Sequence, residues 1–174
     1  MRNIWVISDT HFGHDNIIKY CNRPFANSFV MNEEMRENWN RVVKDGDIVY
    51  HLGDVYMGKQ SDPENVRKFL SSLKGRKRLI LGNHDNGKDQ ILHHVFQKIS
   101  MWRMFSEFGL LLTHVPVHES SLYRGVTGNE ESPPKLLNVH GHIHDKRSPS
   151  KDHKCVCVEQ INYTPINIED LRKW

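Results

Sequence analysis

Five short clusters in the chain combine residue types that bind cations and move protons: Asp9-Thr10-His11, Gly53-Asp54, Gly82-Asn83-His84-Asp85, Thr113-His114 and Gly141-His142-Ile143-His144. Carboxylates and neutral imidazoles are the usual donors for divalent transition ions, and histidine is the side chain whose ordinary pKa lies near neutrality. Each cluster follows directly on an apolar run, as "SDTHFGHDN" follows "IWVI". Polar groups beside a core are costly unless something pairs with them. A single cluster of this kind is usually a turn or a cap, whereas five in succession favour a metal site built from several loops. In an extended segment, residues i and i+2 point to the same side, about 6.5–7 Å apart at Cα. Asp9 with His11, and His142 with His144, are therefore expected to aim as pairs into one pocket. Glycines at 53, 82 and 141 leave room for close backbone approach.

The elements that must position these clusters are legible as apolar patterns. "NIWVIS" reads as a buried strand, "DIVYHLGD" as a second, and "KRLIL" as a third running into "GNHD". Between them, Met31, Met35, Trp39 and Val42/Val43 recur at helical spacing over Val30 to Lys44. Asp62 and Pro63 open another helix, whose buried face is Val66, Phe69, Leu70 and Leu73 and which Gly75 ends. A short helix is expected around Asp89 to Phe96. Four strand-like runs follow without helices between them: "ISMWRMF", "GLLLTH", "LLNVHGH" and "KCVCVEQ", antiparallel in appearance. A polar stretch at about 118–135 interrupts them, and a short helix from Ile168 to Trp174 closes the chain. The sum is an α/β fold in a single domain over residues 1–174.

Composition excludes several classes. The 174 residues carry a net charge of +3 with 37% apolar content, enough for a core and too mild a charge to announce a nucleic-acid binder. "KGRKR" is the one basic cluster and reads as a solvated strand entrance. No run approaches the ~20 apolar residues of a membrane span, and no secretory leader pattern opens the chain. The three cysteines, Cys21, Cys155 and Cys157, lack a second C-x-C or C-x-x-C partner and are expected as reduced thiols. Cytoplasmic localisation is expected.

The ordered series D-x-H, GD, GNHD, strand-end H and GH-x-H resembles the calcineurin-like metallophosphoesterase superfamily, from Asp9 to His144. "DTHFGHDNII" and "YCNRPF" further resemble a small bacterial or phage branch of it. The resemblance implies a four-layer αββα sandwich of two mixed β-sheets flanked by helices. It implies that Asp9, His11 and His144 hold one metal and Asn83, His114 and His142 another, with Asp54 bridging. His84 would face the substrate and protonate the leaving oxygen. Two divalent ions, with Mn first and Fe, Zn, Ni or Co as alternatives, would activate a bridging hydroxide for in-line attack on a phosphate ester. Arg23 and His14 are candidate phosphate contacts. His51 and His140 are expected to lie in the core or to orient ligands, Asp85 to orient a neighbour at most, and Asn16 to cap a helix.

Departures from the superfamily's other branches narrow the substrate. "VYMG" follows Gly53-Asp54 where protein phosphatases carry D-R-G, and GNHD stands for their GNHE. The chain also lacks the length for the added domains of the repair nucleases. The expected partner is a phosphodiester, a nucleotide or short nucleic-acid end, with the 118–135 loop shaping substrate choice. The competing readings are a phosphomonoesterase, a nucleotide pyrophosphatase, or a non-catalytic scaffold on the same fold, although every ligand position here is filled.

Overall fold

A computed structural model describes residues 2–57, 62–123 and 135–171. Its first sheet is built on β1 (Ile4–Ile7), β2 (Ile48–His51), β3 (Arg76–Ile80) and β4 (Lys98–Ser100), paired in parallel in that order, with the short β9 (Ile166–Asn167) antiparallel on β1. The β1–β2 and β2–β3 registers align Ile7, His51 and Leu79 across the sheet. Three strands therefore end at one edge, and the segments carrying Asp9, Asp54 and Asn83 leave from it together.

The second sheet has the order β5 (Trp102–Phe105), β6 (Leu110–Thr113), β7 (Leu137–His140) and β8 (His153–Cys155). Here the expected antiparallel arrangement is corrected. Only β5 is antiparallel to its neighbour, and β6, β7 and β8 run parallel. The parallel pairing of β6 and β7 is what brings His114 and His142 to the same edge. "ISMWRMF" is likewise two strands and not one: β4 ends the first sheet at Ser100, and β5 opens the second at Trp102.

Helices α2 (Ser28–Val42), α3 (Pro63–Ser71) and α4 (Gln90–Val95) cover the outer face of the first sheet. Asn27 caps α2 by accepting from Val30 N, Asp62 caps α3 from Glu64 N, and Asp89 caps α4 from Ile91 N. Met31, Met35 and Trp39 bury the predicted face of α2. Between the sheets lies a second core that includes Val6, Tyr50, Leu52, Ile80, Phe105, Leu110, Leu112 and Val139. The outer face of the second sheet carries Leu111 under a 3-10 turn at Glu119–Leu122, with Leu136 beside it. Two mixed sheets with helices are thus present as expected.

Smaller departures have local causes. Helix α1 (Asp15–Tyr20) starts after His14, so Asn16 lies in its first turn and is not a cap. Lys77, in the basic run, is buried with its ammonium on Leu73 O, and burial pushes its pKa down to about 8. The final helix, α5, is described as Ile168–Leu171. Most of the expected loop, residues 124–134, lies outside the described residues.

Candidate metal centre

The pairs Asp9/His11 and His142/His144 do converge, but the pleat of a strand does not explain it. Asp9 (φ +57°), His11 (+48°), Asp54 (+57°), His142 (+70°) and His144 (+52°) all adopt left-handed backbone conformations. Non-glycine residues are uncommon there, and each costs on the order of 1–3 kcal/mol unless its surroundings compensate. Backbone bonds hold the twist between the loops: Asp9 N donates to Gly53 O and His11 N to Asp54 O, both at 3.0 Å. Close approach also requires two glycines. A Cβ on Gly82 would collide with Asp54, and one on Gly141 with Ser8 and Asp9.

Two groups of donor atoms result, each drawn together within 4.8 Å: Asp9 with His11 and His144, and Asp54 with His114 and His142. Asp9 Oδ1 lies 3.9 Å from both His11 Nε2 and His144 Nε2. Asp54 Oδ2 lies 3.6 Å from His11 Nε2 and 3.5 Å from His114 Nε2, so it stands between the groups. Asn83 Oδ1 joins the second, 2.8 Å from His114 Nε2 and 2.9 Å from His142 Nδ1.

The surrounding hydrogen bonds leave several of the buried donor atoms uncommitted. Asp9 Oδ2 accepts from Ser8 Oγ at 2.5 Å, His142 N at 2.9 Å and Cys157 Sγ at 3.2 Å, while Oδ1 has no hydrogen-bond partner although buried. Both His11 ring nitrogens are buried and likewise without a hydrogen bond. Asp54 Oδ1 accepts from His84 N, which leaves Oδ2 to face the imidazoles. His114 donates Nδ1–H to Leu52 O at 2.7 Å, so its Nε2 lone pair points at the oxygens of Asn83 and Asp54. Acceptors aimed at acceptors need positive charge among them. Spacings of 2.8–3.9 Å between the donor atoms suit ions with bonds of about 2.0–2.2 Å. The residues present fit divalent metal.

Electrostatics agree. Burial, with help from Arg23 and the nearby imidazoles, pushes His11 down to about 2, so its imidazole is neutral at any working pH. Burial raises Asp9 above the ordinary carboxylate range, against the opposing pull of His114 and Ser8. Burial opposes the charged form of His144, but Glu159, hydrogen-bonded to its Nδ1 at 3.0 Å, outweighs this and raises its pKa. Burial also pushes the Cys157 thiol far up, which keeps it an S–H donor and no thiolate ligand.

Two residues do more than their sequence context announces. Asp85 accepts from Asp54 N (2.8 Å), Gly82 N (2.8 Å) and Val55 N (3.0 Å), binding the GD loop to the GNHD loop. Glu159 pairs with His144 and with the Arg23 guanidinium at 2.7 Å. Asp85 at least belongs to a motif, whereas nothing in "VCVEQ" singles out Glu159. Arg23 itself is buried beneath the centre, donating to Asp9 O at 2.8 Å and Thr10 O at 2.9 Å. Its guanidinium is committed to these groups, away from the open cavity where a phosphate contact was expected. His14 does line that cavity of about 540 Å³, with His11, His84, His144, Tyr20 and Lys146. His51 and His140 are buried, the first bonded to Thr10 Oγ1 and the second to Gly141 O.

Residues 2–173 match the calcineurin-like phosphoesterases, and the chain belongs to that family of hydrolases. It is 38% identical over 180 residues to an uncharacterized protein of Methanocaldococcus jannaschii, covering 99% of this chain and 91% of that one. A protein of unknown function from Aquifex aeolicus superposes with a TM-score of 0.75 at 28% identity, covering 99% of both chains. The nuclease MPE of Pseudomonas putida shares the fold at a TM-score of 0.51 and 18% identity, over 82% of this chain and 61% of that one. No helix among the described residues is long and apolar enough to cross a membrane.

Proposed function

We propose that the protein is a phosphoesterase dependent on two divalent metal ions, cleaving phosphodiesters of the nucleotide or short nucleic-acid type. One observation carries the reading: Asp54 Oδ2 stands between two donor groups, in the first of which Asp9 Oδ1 and both ring nitrogens of His11 are buried with no hydrogen-bond partner. Asp9, His11 and His144 would hold one ion, Asn83, His114 and His142 the other, and Asp54 both. Carboxylate, imidazole and amide donors without thiolate suit Mn first, and also Fe, Zn, Ni or Co. Such ions, when bound, acidify water and draw charge from phosphate oxygens.

The chain's own groups do the rest. His84 is exposed on the 540 Å³ cavity with its ring 5.7 Å from that of His11, and its backbone N–H is fixed on Asp54. In this reading it would give a proton to a departing oxygen. Lys146 lines the same cavity and would attract an anionic ester, and His14, whose pKa burial lowers, would hydrogen-bond it as a neutral ring. The free cysteines fit a reducing compartment, the cytoplasm.

The test is Asp54→Asn. Metal analysis and hydrolysis of bis-p-nitrophenyl phosphate should show loss of both ions and of turnover, beyond the loss from changing any ligand of one ion. Full metal content with near-normal turnover would refute the assignment.

A further inference from the structure

A second cavity, of about 530 Å³, opens on the other side of the Asn83-His84 pair. Adjacent residues divide the two spaces: His84 lines the polar cavity, and Asn83 with His114 forms one wall of this one. Its remaining walls are mostly apolar. Met101, Trp102, Leu111, Val115 and Val117 line it, and among the described lining residues none is Lys, Arg, Asp or Glu. Met101 (65% exposed), Trp102 (58%) and Val115 (45%) are unusually open for large apolar side chains. Contiguous exposed apolar surface of this kind usually marks a binding site.

Resting on the phosphoesterase reading, we propose that this cavity binds a planar, uncharged group of the substrate, a nucleobase, stacked on Trp102. The cavity is lined both by candidate metal ligands, Asn83 and His114, and by the apolar aromatic surface of Trp102, whose strand pairs it with Thr113 next to His114. A ligand matching both carries a phosphate joined to a flat apolar group. The volume falls within the range of small-molecule pockets. Among the described lining residues none carries a charge to hold a second phosphate, so a nucleotide chain would extend the other way. Because His84 faces the polar cavity, the leaving group departs there and the stacked base stays on the phosphate that is retained. Trp102 is thereby a specificity-determining residue, outside the proposed metal ligands.

The experiment is calorimetric titration of Mn²⁺-loaded protein with two probes, inorganic phosphate and adenosine 5′-monophosphate, repeated on Trp102→Ala. Metal content and sedimentation are measured on both proteins. Trp102 is far enough exposed that its truncation should not unfold the chain. The expected result is that the nucleotide binds the native protein at least about fivefold more tightly than phosphate. Trp102→Ala should erase most of that preference, as expected at the lower end for a base–aromatic stack. Equal affinity for the two probes would overturn the inference while leaving the phosphoesterase reading intact. So would a nucleotide preference that survives Trp102→Ala. A native dimer that Trp102→Ala dissociates, with nucleotide affinity unchanged, would instead make this face an interface between copies and overturn it. Failure of the metal-loaded protein to bind either probe would remove the phosphoesterase reading itself, and the inference with it.

Discussion

Replacing Asp85 tests whether the centre is held by its loops or merely decorated by them. The carboxylate takes three backbone N–H groups: Oδ2 those of Asp54 and Gly82, and Oδ1 that of Val55. In Asp85→Asn the amide oxygen can keep the two bonds at Oδ2, but its NH₂ then opposes Val55 N–H. One buried donor is left unpaired and the remaining bonds lose their charge assistance, costing about 1–3 kcal/mol. In Asp85→Ala all three donors lose their partner. Asp54 and Val55 are buried, so at least their two donors stay unsatisfied and the cost rises to about 2–6 kcal/mol. For a chain of this size each kcal/mol lowers Tm by about 2–4 °C. Thermal melts of metal-free protein should therefore rank native above Asn above Ala. Metal titration should show weakened binding in both variants, because Asp54 and Asn83 sit on the two loops that Asp85 joins. Unchanged melting and full metal occupancy in Asp85→Ala would refute the reasoning, since no buried donor could then depend on this carboxylate.

His84→Ala should retain both metals. It should lose about 10²–10⁴-fold in turnover of diesters with nucleoside leaving groups and little with nitrophenolate, and equal losses on both would make His84 a simple phosphate clamp. Glu159→Gln should weaken one metal by about 10–100-fold, because the His144 ring loses its anionic partner. Calorimetric metal titration that shows two unchanged affinities would exclude this. Acid should destabilise the metal-free protein through His51. The ring donates Nε2–H to Thr10 Oγ1 and accepts from Gly53 N at Nδ1, so it is folded neutral, and burial with nearby His114 lowers its pKa from 6.5 to about 3. The unfolded chain then binds the extra proton first. Stability is full above pH 6.5 and falls as pH drops toward 3, by at most about 1.4 kcal/mol per unit from this group. Urea melts at pH 7.5 and 4.5 should lose that slope in His51→Gln if the assignment is right.

The clusters were legible in the sequence because donor chemistry and apolar patterns are local. Asp9, His11, Asp54, Asn83, His114, His142 and His144 each follow a run that could be read as a strand. That these runs end at a common edge follows from parallel pairing, and for β1, β2 and β3 the intervening helices already required it. For β6 and β7 no helix signalled it, and the strands were misread as antiparallel. The split of "ISMWRMF" between two sheets was equally hidden, since both halves carry the same short-strand pattern. At the centre itself, alternation along an extended chain was the right count for the wrong geometry. The pairs meet because Asp9, His11, His142 and His144 turn through left-handed conformations. Backbone bonds between separate loops hold those turns. Arg23 could be noticed by its nearness in sequence to the first cluster, but its task was set by Glu159, 136 positions away. Residue type and short-range spacing therefore determined which chemistry is available. Contacts between distant segments, which have no signature in either segment alone, decided which atom of each side chain is left free to perform it.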